Sequence, residues 1–146
     1  MIRNFKEEDL QEYIVMSKAM FDSPAVLHPI SEETLTHTFK VCLEEGPYCR
    51  GLMIEVEGEI AGYGLLSFTY SNEVGGLVVL CEEIYIKEEY RGQGLGNTFL
   101  EWLFNEYHHT AKRYRLEVTE SNAGAIKLYE KFGFETLDYK QMIKDL

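Results

Sequence analysis

The sequence predicts a mixed α/β fold, a single domain spanning 1–146 in which four helices accompany a central sheet of about seven strands. Three observations carry that reading. Between Gly51 and Ile86 three strand-type stretches follow one another with short turns, as in an antiparallel meander. Leu95–Tyr107 then switches to helical spacing and leads into another strand, so this helix must cross over between parallel strands. The 146 residues make one ordinary domain with room for a sizeable core, and no linker, repeat or low-complexity stretch divides them.

In order, Ile2 and Phe5 suggest a short opening strand. A helix from about Glu7 to Met20 follows, with Leu10, Tyr13, Ile14, Met16 and Met20 on one face, and Asp22-Ser23-Pro24 ends it. Ser31-Glu32-Glu33-Thr34 offers a helix cap with acids in the first turn, and that second helix runs to Gly46-Pro47. The meander comprises Leu52–Val56, Ile60–Tyr70 and Leu77–Ile86, with turns at Glu57-Gly58-Glu59 and Ser71–Gly76. Leu95, Phe99, Trp102 and Leu103 form the apolar face of the third helix. A strand over Tyr114–Thr119 and a helix from Ala123 to Phe132 come next, with Gly133 as the stop. Phe134–Leu137 and Tyr139–Ile143 are expected as two closing strands.

The formal charge of −11 speaks against nucleic acid, which needs a basic stripe to neutralise phosphates. The charge is uneven: residues 1–75 carry a net −8 and residues 76–146 a net −3. An acidic first half facing a cationic substrate and a second half receiving an anionic cofactor would account for this, as would a plain solvated surface. The beginning of the chain lacks a secretory pattern, and the longest apolar run, Leu77–Cys81, is too short for a membrane span. Cys42, Cys49 and Cys81 have no metal-ligand spacing and read as reduced thiols of a cytoplasmic protein. The four histidines have no ligand-like partners.

The chemistry centres on Cys81–Asn97, where a strand with Glu82 and Glu83 runs into the glycine loop Arg91-Gly92-Gln93-Gly94-Leu95-Gly96 at a helix start. Backbone N–H groups there suit an anion. A dinucleotide fingerprint beginning at Gly92 would need glycine where Asn97 stands, and a P-loop would need it followed by lysine; both fail. Arg91-x-x-Gly94-x-Gly96 fits a loop for the pyrophosphate of coenzyme A. Asn122-x-x-Ala125-x-x-x-Tyr129-x-x-x-Gly133-Phe134 follows after the next strand.

With these two motifs the chain resembles the GCN5-related N-acetyltransferases. Gly62-Tyr63-Gly64, Phe68-Thr69-Tyr70, Glu82-Glu83, Tyr90-Arg91-Gly92 and Asn122…Tyr129 are most similar to the spermidine/spermine acetyltransferases within that superfamily. The resemblance implies acetyl-CoA as co-substrate, a primary amine as acceptor attacking the thioester directly, and no metal. The amine, with a pKa near 10, must first lose a proton. Glu82 matches the family's base and Glu83 the neighbouring acid that contacts polyamine. Simple strand alternation puts Glu82 with Leu80, Ile84 and Ile86, and Glu83 with Cys81 and Tyr85, unless a bulge intervenes. Backbone N–H groups around Ile84, Tyr85 and Ile86 would stabilise the oxyanion and pair with the pantetheine amides. Tyr129, on one helical face with Asn122 and Ala125, matches the acid that protonates the thiolate. Arg91, Gly92, Gln93, Gly94, Leu95, Gly96 and Asn97 would hold the pyrophosphate, with Asn122, Ala125 and Lys131 adding cofactor contacts.

Two departures from the polyamine pattern bear on the acceptor. The turn Ser71–Gly76 keeps one acid, Glu73, and the last two strands are joined by almost nothing around Asp138. An open acceptor site, or one completed by a second subunit, follows, so a homodimer is expected. A protein or peptide N-terminus or an amino acid as acceptor, and a non-catalytic acyl-CoA-binding module, stand as alternatives; Glu82, Glu83 and Tyr129 together favour an enzyme.

Overall fold

Strand pairing begins at Ile2–Asn4 (β1) and gathers five strands into one sheet, which a computed structural model describes together with the rest of residues 1–146. A single 3-10 turn, Glu7–Asp9, leads into α1, Leu10–Phe21, so the expected first helix starts as a tighter turn. The second helix, α2, spans Glu32–Leu43 and is capped as the sequence indicates, Ser31 Oγ accepting a hydrogen bond from the Thr34 N–H at 3.2 Å. The meander follows as β2 (Cys49–Val56), β3 (Glu59–Ser71) and β4 (Gly76–Ile86), paired antiparallel in sequence order. Glu57 and Gly58 both have positive φ, 52° and 83°, which matches the twist of the β2–β3 hairpin.

Helix α3, Leu95–Tyr107, carries the chain across to β5, Ala111–Leu116, which pairs with β4 in parallel as the crossover requires. β5 lies earlier than the expected Tyr114–Thr119. Helix α4, Ala123–Lys131, closes the regular structure, capped by Asn122, whose Oδ1 accepts from the Ala125 N–H at 3.3 Å.

The two expected closing strands do not form, so the sheet has five strands, with β1 and β5 as its edges. Phe134–Ile143 has strand-like residues with only Asp138 between its two halves, and it pairs with no strand of the sheet. Residues 135–146 are all exposed.

The sheet is covered on two faces by alternate side chains. Helices α1 and α2 pack Tyr13, Ile14, Met16, Leu35 and Phe39 against Met53, Tyr63 and Leu65. On the other face Phe99, Leu100 and Leu103 of α3 meet Leu52, Ile54, Leu66, Val79 and Cys81. Of the four residues expected on the apolar face of α3, Phe99 and Leu103 are fully buried and Leu95 and Trp102 partly so. Every buried residue of the chain lies at or before Leu103.

Candidate active site

The site is made by one residue too many in β4. Leu65 of β3 opposes Glu83 and Leu66 opposes Cys81, so Glu82 is the extra residue of a β-bulge. The bulge resets the alternation. Cys81 packs with Ile84 and Ile86 on the α3 side. Glu82 instead accepts a 2.8 Å hydrogen bond from Ser67 Oγ, and Glu83 a 2.6 Å bond from Tyr63 Oη, two β3 residues that share the opposite face. Simple alternation therefore misplaced both Cys81 and Glu82: the two carboxylates lie together on the α1–α2 side.

The same bulge ends the parallel pairing. β4 and β5 are in register only to Cys81 and Leu116, beyond which the strands part. A cleft opens at the split, walled by Glu82, Glu83 and Ile84 on one side and by Glu117–Thr119, Asn122 and Tyr129 on the other, with Met20 and Ala25 at the rim. Beyond Cys81, the β5-facing backbone groups of Glu82–Ile86 have no strand partner, which leaves a row of amides and carbonyls for an extended ligand.

The two glutamates differ in environment. Glu82 is exposed, whereas Glu83 is partly buried. Burial pushes the Glu83 carboxyl above the usual carboxylate range; the Tyr63 hydrogen bond holds it back, and the neighbouring Glu82 adds to the rise. Tyr63 is in turn fixed by Ser17 Oγ, which donates to its oxygen at 3.0 Å. Across the cleft Tyr129 is pushed up to about 12, by burial and then by Cys81, so it stays protonated at neutral pH. Its hydroxyl makes no hydrogen bond within the protein, and its ring packs edge-on against Phe134 at 5.9 Å.

The loop after β4 has the features of an anion site. Gly92 and Gly94 adopt φ of 75° and 79°, a turn that other residues enter at a cost, and Gly94 caps α3. Arg91 Nε donates to the Ile86 carbonyl at 2.9 Å and its guanidinium lies 5.7 Å above the Tyr85 ring, leaving the terminal nitrogens free. A Cβ on Gly96 would come within 2.9 Å of Leu128, so this glycine brings α3 against α4. Asn97 Oδ1, in the first turn of α3, is buried without a hydrogen-bond partner. An orphaned acceptor beside a turn of open N–H groups fits a ligand that combines phosphates with amide and hydroxyl donors, as coenzyme A does.

The structure thus brings Glu82, Glu83, Ile84, Asn122 and Tyr129 to one cleft. The loop residues Arg91, Gly92, Gln93, Gly94, Leu95, Gly96 and Asn97 follow β4 directly. Tyr85 packs on the α1–α2 face, Ile86 on the α3 face and Ala125 receives the Asn122 cap, so none of these three side chains enters the cleft. Lys131 sits at the far end of α4, with its Nζ 6.0 Å from the Phe132 ring centre. Ser17, Tyr63, Ser67 and Glu117 went unnoticed as site residues in the sequence. Gly62-Tyr63-Gly64 stood out there, but only the β3–β4 register could pair Tyr63 with Glu83.

Comparison with known proteins agrees with this geometry. The model of the acetyltransferase (GNAT) family matches residues 13–134. The spermine/spermidine N(1)-acetyltransferase of Bacillus subtilis (strain 168) is 33% identical over 133 residues, covering 80% of this chain and 87% of that protein. The thialysine N-epsilon-acetyltransferase of Mus musculus is 31% identical over 147 residues, covering 93% and 84%. Among solved structures, a possible acetyltransferase from Clostridium difficile 630 superposes with a TM-score of 0.83 at 18% identity, covering 100% of this chain and 97% of that one. A strand pair split at a bulge, a glycine turn opening the next helix and a family match spanning both place the chain in the acetyltransferase (GNAT) family, as an acetyl-CoA-dependent transferase.

Proposed function

We propose that this enzyme acetylates a primary amine of a small, multiply cationic molecule, of the polyamine class on which its Bacillus subtilis relative is named to act. The observation that carries the reading is the charge of the cleft: Glu82, Glu83 and Glu117 line it together with Tyr129, and no lysine, arginine or histidine does. Such a wall attracts an alkylammonium and can take its proton.

Acetyl-CoA supplies an electrophilic thioester carbon and a thiolate leaving group. Glu83 Oε2, held by burial above the usual carboxylate range and aimed by Tyr63, is the base that accepts the ammonium proton, directly or through a water. Glu82, exposed and steadied by Ser67, holds a positive charge of the acceptor in place. This reverses the roles that the family resemblance implied for the two residues, because Glu83 is the more buried of the two and the one that Tyr63 orients in the cleft. The unpaired amides of β4 beyond Cys81 orient the pantetheine arm, and the turn at Gly92–Gly94 with Arg91 receives the pyrophosphate. Tyr129 Oη donates its hydrogen to the departing sulfur. The protein works in the cytoplasm as a homodimer, a setting consistent with its three free thiols.

The test is release of CoA thiol with polyamines, amino acids, aminoglycosides and peptide N-termini as acceptors. Polyamines should give the highest kcat/KM; transfer only to peptide N-termini would overturn the acceptor assignment, and CoA binding without transfer to any amine would overturn catalysis. Glu83→Gln should lower kcat/KM about 10²–10⁴-fold at neutral pH. Glu82→Gln should act mainly on KM for multiply charged acceptors. The opposite split would return the base to Glu82.

A further inference from the structure

Two thiols meet where α2 hands the chain to β2. Cys42 stands in the last turn of α2 and Cys49 opens β2, and their Sγ atoms lie 3.4 Å apart, in direct contact. The segment between them holds them together. Glu45 turns the chain with a φ of 51°, its N–H donates to the Cys42 carbonyl at 3.3 Å, and the Tyr48 carbonyl accepts from the Phe68 N–H of β3 at 3.2 Å. The two sulfurs differ in access. Cys42 is buried among Tyr13, Phe39 and Tyr63, whereas Cys49 is half-buried against the same cluster. Burial pushes the Cys42 thiol up and its contact with Cys49 adds to the rise, so Cys42 stays protonated. The third cysteine, Cys81, packs on the α3 face, across the sheet from this pair.

We propose that Cys42 and Cys49 form a reversible disulfide, a redox clasp that joins the end of α2 to the start of β2 when the protein meets a hydroperoxide. The accessible sulfur reacts first. Cys49, as thiolate, attacks one peroxide oxygen: an S–O bond forms, the O–O bond breaks, and the departing hydroxide takes up the proton that Cys49 released, giving water. The Cys42 sulfur then displaces the hydroxyl of the Cys49 sulfenic acid. The S–S bond forms as the S–O bond breaks, and the Cys42 proton leaves with the hydroxyl as a second water. Two electrons pass in all from the two sulfurs to the peroxide, and a small thiol returns them by exchange. Because the sulfurs already touch, the second step is intramolecular and outruns further oxidation of Cys49. In a reducing compartment the dithiol is the resting form, and a disulfide there is a transient sensor. The clasp is independent of the acetyl-transfer reading, since neither cysteine lines the cleft.

The test treats the full chain with hydrogen peroxide and then unfolds it in N-ethylmaleimide. Reduced protein should take up three maleimides; oxidised protein should take up one, at Cys81, because the other two sulfurs are joined. Trypsin cuts after Lys40 and Arg50, so both cysteines leave in the one peptide 41–50. That peptide should be lighter by two hydrogen atoms and regain them in dithiothreitol. Sulfinic or sulfonic acid without the link, a disulfide between two chains, or three maleimides after peroxide overturns the proposal. Dimedone, which traps sulfenic acid, reads the order: Cys42→Ala should carry the adduct on Cys49, and Cys49→Ser should leave Cys42 unmodified. An adduct on Cys42 in the second variant overturns Cys49 as the attacking sulfur. Oxidation of the unsubstituted chain should also slow amide exchange in the last turn of α2, and unchanged exchange there overturns the clasp.

Discussion

The body of the molecule up to Leu103 and the flank after it are built to different standards. The body contains every buried residue, two filled sheet faces and an aromatic cluster in which Phe39, Phe5, Tyr13 and Tyr63 touch in succession. The flank of β5, α4 and the tail has no buried residue, yet it supplies Glu117–Thr119, Asn122 and Tyr129 to the cleft. The cleft runs where the two meet. A wall backed by fully buried side chains therefore holds the carboxylates, while the wall with the tyrosine rests on half-buried contacts.

The sharpest way to break this contrast is to remove core from each side. Phe99→Ala should cost about 3–5 kcal/mol in urea unfolding, the usual cost of deleting a fully buried aromatic ring. Leu128→Ala on the partly buried face of α4 should cost less than half of that, and equal losses would erase the distinction. Tyr129→Phe should lower kcat about 10²-fold or more with little change in CoA affinity, since only the proton donor is lost; full activity would remove the tyrosine from the chemistry. Asn122→Ala should cost about 1 kcal/mol through loss of the α4 cap, read as faster amide exchange confined to the flank. Protection lost across the body as well would mean that the two regions unfold together.

The smallest effect is in pH. Glu83 holds its proton more tightly folded than unfolded, so between the ordinary glutamate value near 4.3 and its own raised value the folded chain carries the extra proton. Stability should fall as pH rises through that window and level off above it. Glu83→Gln should abolish that slope, and a slope retained in the variant would assign it to another group.

What could be read from the sequence follows the same division. The Ser31 cap, the Leu95–Phe99–Leu103 spacing and the turn at Glu57-Gly58 are local signals, and each formed where it was expected. The bulge at Glu82 was not legible, because an extra residue exists only relative to a partner strand. Its consequences, the pairing of Glu83 with Tyr63 and the parting of β4 from β5, were hidden with it. The tail misled for a related reason: strand-type residues record that Phe134–Ile143 can be a strand, not that it pairs in the sheet. The turn at Gly92–Gly94 and the Asn122 cap of α4 could be read because both are local signals along one chain.

The distribution of buried residues also orders events during synthesis. Chain growth proceeds at roughly 5–20 residues per second, so translating residues 104–146 takes several seconds after Leu103 is added. Helices and hairpins form in microseconds. All the fully buried side chains have been made before the flank exists, and the flank adds only half-buried ones, such as Phe104, Tyr114, Leu128 and Phe132, to the α3 face. The β4 edge can be paired by β5 only after the body has been made, so the cleft between them is the last part of the molecule to be completed in synthesis.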